Sequence, residues 1–406
     1  MFLVAILATH VLFLWIVREH IARGDPDFTV FYTAAKMLRE GKRAQLYDGG
    51  QQQAVQREFA ADPEIRKGAL PYIHPPFEAL LFIPLTYLPY PAAFALWDVL
   101  NIGILAGVIF LLRHSFWTLL QIPRTDCVLG LAAFFPVFAN FHQGQDAILL
   151  LLLTVLGFGA LRREKDFEAG FWLGLGIFKY HFMLPLMVIL VFWRGRKLAV
   201  GFLATAVALA GVSVEMVGWR AAMHYPAYAW NVVSNPVFGG IPPRLLPNLW
   251  GLFAGWNVVR SPGWTIRMAA ALASIFVLVW VASMRMQART RERFPLCFAC
   301  AVIAALLVAY STNSYDLSLL VLPLAIVGDY GLTELSEIPS RRWALILPVL
   351  PVLLSPLWFW LWLGAQRTNV MAIFLVGWMY AIWSEVSRPE SDKELAHSPL
   401  QLARQG

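Results

Sequence analysis

Long apolar segments recur along the whole chain and constrain its fold more than any other feature. Hydrophobic residues fill 59% of the 406 positions, whereas charged residues fill only 14%. A helix needs about 20 mostly apolar residues to cross the hydrocarbon core of a bilayer. The pattern therefore predicts an all-α polytopic membrane protein with about 12 transmembrane segments. The expected segments are 2–17, 74–89, 91–112, 127–141, 146–161, 170–193, 198–217, 264–283, 295–311, 315–330, 343–363 and 368–384.

Two long polar loops interrupt the apolar segments, a first loop over residues 18–73 and a second over 218–262. We expect a single integral membrane domain over 1–387, followed by a polar, disordered cytoplasmic tail over 388–406. The first apolar segment lacks the basic start and the small-residue cleavage site of a signal peptide, so we interpret it as a helix.

The net charge of +7 would suit a nucleic-acid-binding protein, but its distribution indicates a membrane protein. The basic residues cluster in short loops, as the positive-inside rule describes for cytoplasmic loops. This rule predicts cytoplasmic N- and C-termini in the cell inner (plasma) membrane, with both long loops extracytoplasmic. The first cluster breaks the rule unless 170–193 is re-entrant and 74–89 is shallow, and the sequence leaves this open. The clusters are Arg162, Arg163 and Lys165; Arg194, Arg196 and Lys197; Arg285, Arg289, Arg291 and Arg293; and Arg341 and Arg342.

Polar motifs occur where the apolar segments begin, end or are interrupted. Most lie beside the first loop or close to the ends of later segments. In chain order they are Gly24-Asp25-Pro26-Asp27-Phe28, Phe31-Tyr32-Thr33, Leu46-Tyr47-Asp48, His74-Pro75-Pro76, His142-Gln143-Gly144-Gln145-Asp146, Lys179-Tyr180-His181 and Asn313-Ser314-Tyr315-Asp316.

In their order and spacing, these motifs resemble the polyprenol-phosphate-mannose-dependent mannosyltransferases, a family of the C-type glycosyltransferase superfamily. The resemblance covers most of the chain. It implies the C-type glycosyltransferase architecture, a polyprenyl-phosphate-linked sugar as donor, and Asp27 as the catalytic base. Members often carry a histidine shortly before the Tyr-Asp pair, where this chain has Asn313 and Ser314. The role of such a histidine is therefore not carried over.

A lipid-phosphate donor supplies its own leaving group, because the departing phosphate is a weak base that needs no protonation. One carboxylate then suffices to deprotonate the acceptor hydroxyl as it attacks the anomeric carbon. Glycoside hydrolysis, by contrast, normally uses a pair of carboxylates. Asp27, directly before the predicted interfacial helix 28–39, fits this base. Asp25 is the rival, and its alternative role is to cap that helix, because the Asp-Pro step favours a turn.

The donor phosphate also requires positive charge or hydrogen-bond donors. Each candidate for these contacts has a structural alternative as well. Lys179 could snorkel to the interface, Asp316 could cap a helix, and His74 could be an ordinary interfacial histidine. Aromatic residues of the second loop are typical of sugar stacking and of membrane interfaces alike. The candidate substrate-binding residues are Asp25, Tyr32, His74, Gln143, Gln145, Lys179, His181, Arg244, Asn313 and Asp316.

The sequence therefore predicts an inverting membrane glycosyltransferase. It would move a hexose, most simply mannose, from a polyprenyl-phosphate donor to a glycolipid or glycan acceptor on the extracytoplasmic face. One alternative is a secondary transporter that uses its charged residues as ion or substrate sites. Another is the same fold with a different lipid-linked sugar, such as arabinofuranose. The chain shows no nucleotide-binding fingerprint and no metal-ligand spacing, so we expect no cofactor, no metal ion and no nucleic-acid partner.

Overall fold

The computed structural model describes residues 2–60, 70–234, 241–256 and 263–388. Within these ranges the chain forms helices joined by turns and contains no β-strand, which confirms the predicted all-α class. The α-helices are α1 Phe2–Ala22, α2 Phe28–Arg39, α3 Gly49–Arg57, α4 Tyr90–Ser115, α5 Trp117–Gln121, α6 Arg124–Ala133, α7 Phe135–Gln143, α8 Ala147–Arg162, α9 Asp166–Leu175, α10 Tyr180–Arg194, α11 Arg196–Val217, α12 Trp219–Ser234, α13 Leu249–Ala254, α14 Trp264–Ala282, α15 Phe294–Val308, α16 Val321–Thr333, α17 Pro339–Ile346, α18 Leu350–Leu353, α19 Ser355–Phe359 and α20 Met371–Val386.

Short 3₁₀ helices connect many of the α-helices. They span Arg43–Gln45, Pro76–Tyr87, Gly176–Lys179, Pro243–Leu245, Ser283–Arg285, Gln287–Arg289, Ser314–Leu320, Leu347–Val349 and Thr368–Val370. One π-helical turn spans Trp360–Gly364. Of the tail predicted over 388–406, residues 389–406 lie outside the described part of the chain.

Seven helical segments in the described ranges are long and apolar enough to cross a membrane, or nine if each of two bent helix pairs is one span. The polytopic class is thus supported, but a count of twelve is not confirmed. Three predicted spans form helices of only 10–17 residues, which are Pro76–Tyr87, Ala147–Arg162 and Phe294–Val308. The seven spans are Leu3–Ala22, Tyr90–Ser115, Asp166–Arg194, Arg196–Val217, Trp264–Arg285, Ser314–Thr333 and Thr368–Val386; the bent pairs are Arg124–Ala133 with Phe135–Gln143 and Pro339–Leu353 with Ser355–Gly364.

The predicted interruption at Lys179 is present as a 3₁₀ turn between α9 and α10. Even so, Asp166–Arg194 forms one candidate span of 29 residues and is not one of the sharply bent pairs. The structure therefore does not support a re-entrant 170–193. The segment 74–89 is different, because Pro84 lies inside its helix and the 12 helical residues are too few to span a bilayer.

Glycine allows α9 and α11 to pack with their backbones in close contact. A Cβ atom added to Gly170 would lie 2.2 Å from the carbonyl oxygen of Leu198, and one added to Gly201 would lie 2.2 Å from that of Phe167. Small residues at such a crossing are typical of helix pairs in membranes. This contact fixes α9, and with it the turn that carries Lys179.

The described parts of the first loop, 18–60 and 70–73, fold into a compact layer on the membrane helices, and 61–69 lie outside the described residues. Helix α2 is buried along most of its length and packs against the helix Pro76–Tyr87. The ring of Phe31 stacks on that of Phe82, with centroids 4.6 Å apart. Phe28 meets Phe94 of α4 edge to face at 5.5 Å. These aromatic contacts hold the start of α2 in one position relative to the membrane bundle.

Helix α15 lies at the centre of the bundle, where almost all of its side chains are buried. Cys297 and Cys300 are both fully buried on this helix and form no disulfide. Their spacing therefore reflects packing, as expected for cysteines in an apolar helix.

Candidate active site

Asp27 lies where the first loop meets the membrane bundle, and two glutamine side chains hold it there. It occupies the N-cap position of α2, but its carboxylate makes no capping hydrogen bond. Its backbone N–H donates to Oε1 of Gln143 at 3.1 Å. Nε2 of Gln145 donates to Oδ2 of Asp27 at 2.9 Å. The carboxylate is thus partly exposed and oriented by an amide, which suits a group that must accept a proton in a fixed geometry.

The turn between the two glutamines requires a glycine. Gly144 ends α7 with a φ angle of +59°, in the left-handed region that favours glycine. A Cβ atom at this position would also lie 2.7 Å from Cβ of Phe28. Gly144 therefore brings the motif 142–146 close enough to α2 for both glutamines to reach Asp27.

A cavity of about 170 Å³ lies beside Asp27. This volume is below the ~300–1,000 Å³ of sites for drug-sized ligands, so the cavity suits a sugar ring or a phosphate group rather than a whole lipid-linked donor. Its polar wall is formed by Asp27, His142, Gln143, Asn313, Ser314 and Tyr315, and its apolar wall includes Phe135, Phe138 and Trp362. Aromatic rings beside hydrogen-bonding groups are the surface that a sugar requires.

Asp25, the rival base, has a different environment. Its Oδ2 lies 2.8 Å from Nδ1 of His20, at the end of α1. Asp25 does not line the cavity beside Asp27. The expectation that Asp25 caps the first-loop helix is wrong, because α2 begins after Asp27 and Asp27 is its N-cap residue.

Lys179 lies at the centre of a buried ion cluster. Only 3% of its surface is exposed, and its Nζ lies 2.8 Å from Oδ1 of Asp316 and 3.0 Å from Oδ1 of Asp146. Nζ also donates to Oε1 of Gln145 at 3.4 Å. The Lys179 ammonium is thus shared between two buried carboxyl groups from separate segments. Lys179 is enclosed by protein rather than snorkelling, and it does not line the cavity. Its contact with a donor phosphate stays a prediction.

Asp316 stabilises a helix start and also pairs with Lys179. Its Oδ2 accepts a hydrogen bond of 2.7 Å from the backbone N–H of Asn313, and the two residues form a reciprocal capping box. Asn313, unlike Asp316, lines the cavity, where its amide donates to the hydroxyl of Tyr315 at 2.8 Å. The motif 313–316 therefore contributes one candidate substrate contact and one structural carboxylate.

His74 faces buried carboxylates instead of the cavity. Its Nδ1 lies 2.8 Å from Oε2 of Glu78, one helical turn further on. Asp146 lies beside both residues. The side chain of His74 is 16% exposed, whereas Glu78 and Asp146 are almost fully buried.

Three further predicted contacts do not line the cavity. Tyr32 is buried and donates its hydroxyl to the backbone oxygen of Leu88 at 2.8 Å, which makes it part of the first-loop packing. The ring of His181 packs against other aromatic rings. Arg244 directly precedes Leu245, which does line the cavity.

Two aromatic residues of the second loop pack against the first loop. The rings of Tyr225 and Tyr228 both lie with their centroids 5.2 Å from that of Tyr47. The two loops predicted on one face of the membrane are thus in contact. Parts of the second loop, 235–240 and 257–262, lie outside the described residues.

The sequence analysis did not assign a role to three residues that the structure brings to these sites. His142 and Tyr315 line the cavity. Both belong to polar motifs that the sequence analysis had identified, 142–146 and 313–316. The candidate residues beside them in these motifs could have pointed to His142 and Tyr315 as well. Glu78 follows His74 by four residues, a spacing that places two side chains on one helical face.

The comparison with protein families matches the chain to the sequence model of glycosyltransferase family 87. The match covers residues 72–310, which is more than half of the chain. It includes Asp146 and Lys179, whereas Asp27 lies before it. The chain has no significant match among curated proteins or solved structures. Because the family model covers most of its length, the chain belongs to glycosyltransferase family 87 and is a membrane glycosyltransferase.

Proposed function

We propose that the protein transfers a hexose, most simply mannose, from a polyprenyl-phosphate-linked donor to a glycolipid or glycan acceptor. The reaction takes place on the extracytoplasmic face of the inner (plasma) membrane, with both termini in the cytoplasm. The observation that carries the proposal is the placement of Asp27. Among the described carboxylates, Asp27 alone lines the cavity, and Gln145 orients it.

The other nearby carboxylates pair with residues outside the cavity. Asp25 pairs with His20, while Asp146 and Asp316 both pair with Lys179. Asp146 and Asp316 are enclosed by protein and do not line the cavity, so neither reaches an acceptor hydroxyl bound there. Asp27 instead contacts two neutral groups, the amide of Gln145 and the hydroxyl of Tyr315, and is therefore the better base.

The proposed step is a single displacement. The acceptor hydroxyl transfers its proton to Asp27 while its oxygen attacks the anomeric carbon. The bond between that carbon and the phosphate oxygen breaks, and the phosphate departs with the electron pair. Because attack and departure occur on opposite faces of the sugar, the configuration inverts. The side-chain donors of the cavity, including Asn313, can bind sugar hydroxyls or the phosphate.

The buried cluster around Lys179 is the observation that would favour a transporter, since ionisable residues inside a membrane commonly mark ion pathways. Membership of a glycosyltransferase family argues against this alternative. The position of the cluster does so too, because Gln145 connects Lys179 directly to Asp27.

The test is a transfer assay with protein purified into nanodiscs. Polyprenyl-phosphate mannose and polyprenyl-phosphate arabinofuranose are supplied in parallel, and consumption of each is followed by thin-layer chromatography. We expect mannose consumption that depends on an added glycolipid acceptor. If only the arabinofuranose donor were consumed, transfer from a polyprenyl-phosphate donor would be supported, but mannose would be the wrong sugar.

Asp27→Asn preserves the shape of the side chain and removes proton acceptance. It should lower the transfer rate by about 10²-fold or more, in the range of general-base contributions. Asp25→Asn is the matched control and should keep most of the activity. An active Asp27→Asn protein together with an inactive Asp25→Asn protein would move the base to Asp25.

A further inference from the structure

A second group of chemically reactive side chains lies outside the cavity. His74, Glu78 and Asp146 each offer a ligand atom, and these atoms all lie within 4.8 Å of one another. His74 and Glu78 lie at the end of the first loop, where the chain enters the helix Pro76–Tyr87. Asp146 lies in the turn between α7 and α8. Segments far apart in the sequence thus converge here.

The two carboxylates of this group are deeply buried and poorly partnered. Glu78 is 1% exposed and Asp146 is fully buried. Oε2 of Glu78 lies 2.8 Å from Nδ1 of His74, and Oδ1 of Asp146 lies 3.0 Å from Nζ of Lys179. The two carboxyl groups also contact each other. No described residue donates a hydrogen bond to Oε1 of Glu78 or to Oδ2 of Asp146. Two buried carboxyl groups in contact need a shared proton or a cation between them.

The surrounding cluster contains more carboxyl groups than cationic groups. Glu78, Asp146 and Asp316 are three buried carboxyl groups, and Lys179 is the one ammonium paired with them among the described residues. Glu78 and Asp146 face each other across a point that His74 also reaches. A divalent cation at this point would compensate the charge of both carboxylates.

We propose that His74, Glu78 and Asp146 bind a divalent transition-metal cation, Zn²⁺ or Mn²⁺. One imidazole and two carboxylates suit these ions, which accept nitrogen and oxygen ligands. Ca²⁺ and Mg²⁺ prefer oxygen ligands alone. The sequence had predicted no metal ion, because the three ligands come from two segments about 70 residues apart and show no recognisable spacing.

The metal would have a structural role. It would join the end of the first loop to the turn that precedes α8, one residue from Gln145, the residue that orients Asp27. It lies outside the cavity lining and takes no part in the proposed transfer step. The inference does not depend on the identity of the sugar or on the role of Asp27.

The first test is the metal content of the wild-type protein, purified without a polyhistidine tag and passed over a chelating resin. Inductively coupled plasma mass spectrometry should find about one Zn²⁺ or Mn²⁺ per chain, as for a resident site. Prolonged treatment with a strong chelator should lower the melting temperature, and adding back the same ion should restore it. A metal-free protein whose melting temperature is unchanged by either ion would overturn the proposal, leaving Glu78 and Asp146 to share a proton.

Variants identify the ligands. Glu78→Gln and His74→Phe should lose most of the bound metal while remaining folded enough to purify. Asp316→Asn is the matched control, since Asp316 is an equally buried partner of Lys179 outside the ligand group. It should retain the metal. Metal that persists in both ligand variants would overturn the assignment, and this readout is independent of sugar transfer.

Discussion

Gln145 donates a hydrogen bond of 2.9 Å to Oδ2 of Asp27, and the two residues are 118 positions apart in the chain. The same amide accepts a hydrogen bond from Lys179 through Oε1. Its two ends are therefore both committed, and the side chain cannot rotate freely. The buried ion cluster thus fixes the amide, and the amide fixes the carboxylate at the cavity.

Replacing Gln145 with leucine should impair the chemistry more than the binding of substrates. Leucine keeps much of the volume but removes the donor, and a hydrogen bond to a charged group contributes about 1.5–3 kcal/mol. We expect the turnover number to fall about 10- to 100-fold with a smaller change in the Michaelis constant of the donor. Steady-state transfer assays in nanodiscs measure both. Gln145→Glu also removes the donor and adds a negative charge beside Asp27, so its turnover number should be no higher than that of Gln145→Leu. An unchanged turnover number in Gln145→Leu would contradict the orienting role.

Asp27 could be proposed from the sequence because the first-loop motif resembles that of a mannosyltransferase family, in which the corresponding aspartate is the base, and because it directly precedes the predicted helix 28–39. The partners of Lys179 were not predictable in the same way. Asp146 and Asp316 lie 33 and 137 residues away from it, and only the packing of three separate segments brings them together. Distances of this kind depend on tertiary structure, which no local pattern reports.

The all-α class was predicted more accurately than the number of membrane spans. Apolar composition alone identified the all-α class, whereas short apolar helices such as Phe294–Val308 look like spans in a sequence. Glu78 was not proposed from the sequence, although a local pattern indicated it. It lies four residues after His74, a spacing that places both side chains on one helical face.

Removing the charge of Lys179 should destabilise the protein. Lys179→Ala leaves two buried carboxylates without their ammonium, and breaking a buried pair in this way costs about 3–5 kcal/mol. The melting temperature of detergent-solubilised protein should fall clearly, and the double variant Lys179→Ala with Asp316→Asn should recover part of the loss. If Lys179→Ala kept its melting temperature but required more donor for transfer, Lys179 would instead be the phosphate contact predicted from the sequence.

Alanine at Gly170 should separate α9 from α11. The added Cβ would lie 2.2 Å from the backbone oxygen of Leu198, an atom that cannot move without its helix. Overpacking of this kind costs about 1–3 kcal/mol. Gly211→Ala, also in this helix pair, is the control, because no atom lies within 4 Å of its Cβ position. The melting temperature should fall for Gly170→Ala and not for Gly211→Ala. Equal melting temperatures of the two variants would contradict the close packing of α9 and α11.

The hydrogen bonds around Asp27 also define the state of His142. The N–H of Asp27 donates to Oε1 of Gln143, so the other end of that amide is Nε2, a donor. Nε2 of Gln143 lies 2.8 Å from Nδ1 of His142, which must therefore accept. A neutral imidazole that accepts at Nδ1 carries its proton on Nε2. His142 lines the cavity, so it can donate this proton in a hydrogen bond to bound substrate.

Replacing His142 tests this donor. His142→Phe keeps the aromatic packing against Phe138 and Trp362 but removes the N–H group. A hydrogen bond between neutral groups contributes about 0.5–1.5 kcal/mol, so kcat/KM should fall about 3- to 10-fold, and more if the partner is a phosphate. His142→Gln supplies an amide donor and should retain more activity than His142→Phe. Transfer assays at equal protein stability provide the comparison. Equal activity of the two variants would show that the ring serves packing only, since they differ chiefly in the donor that they offer to the cavity.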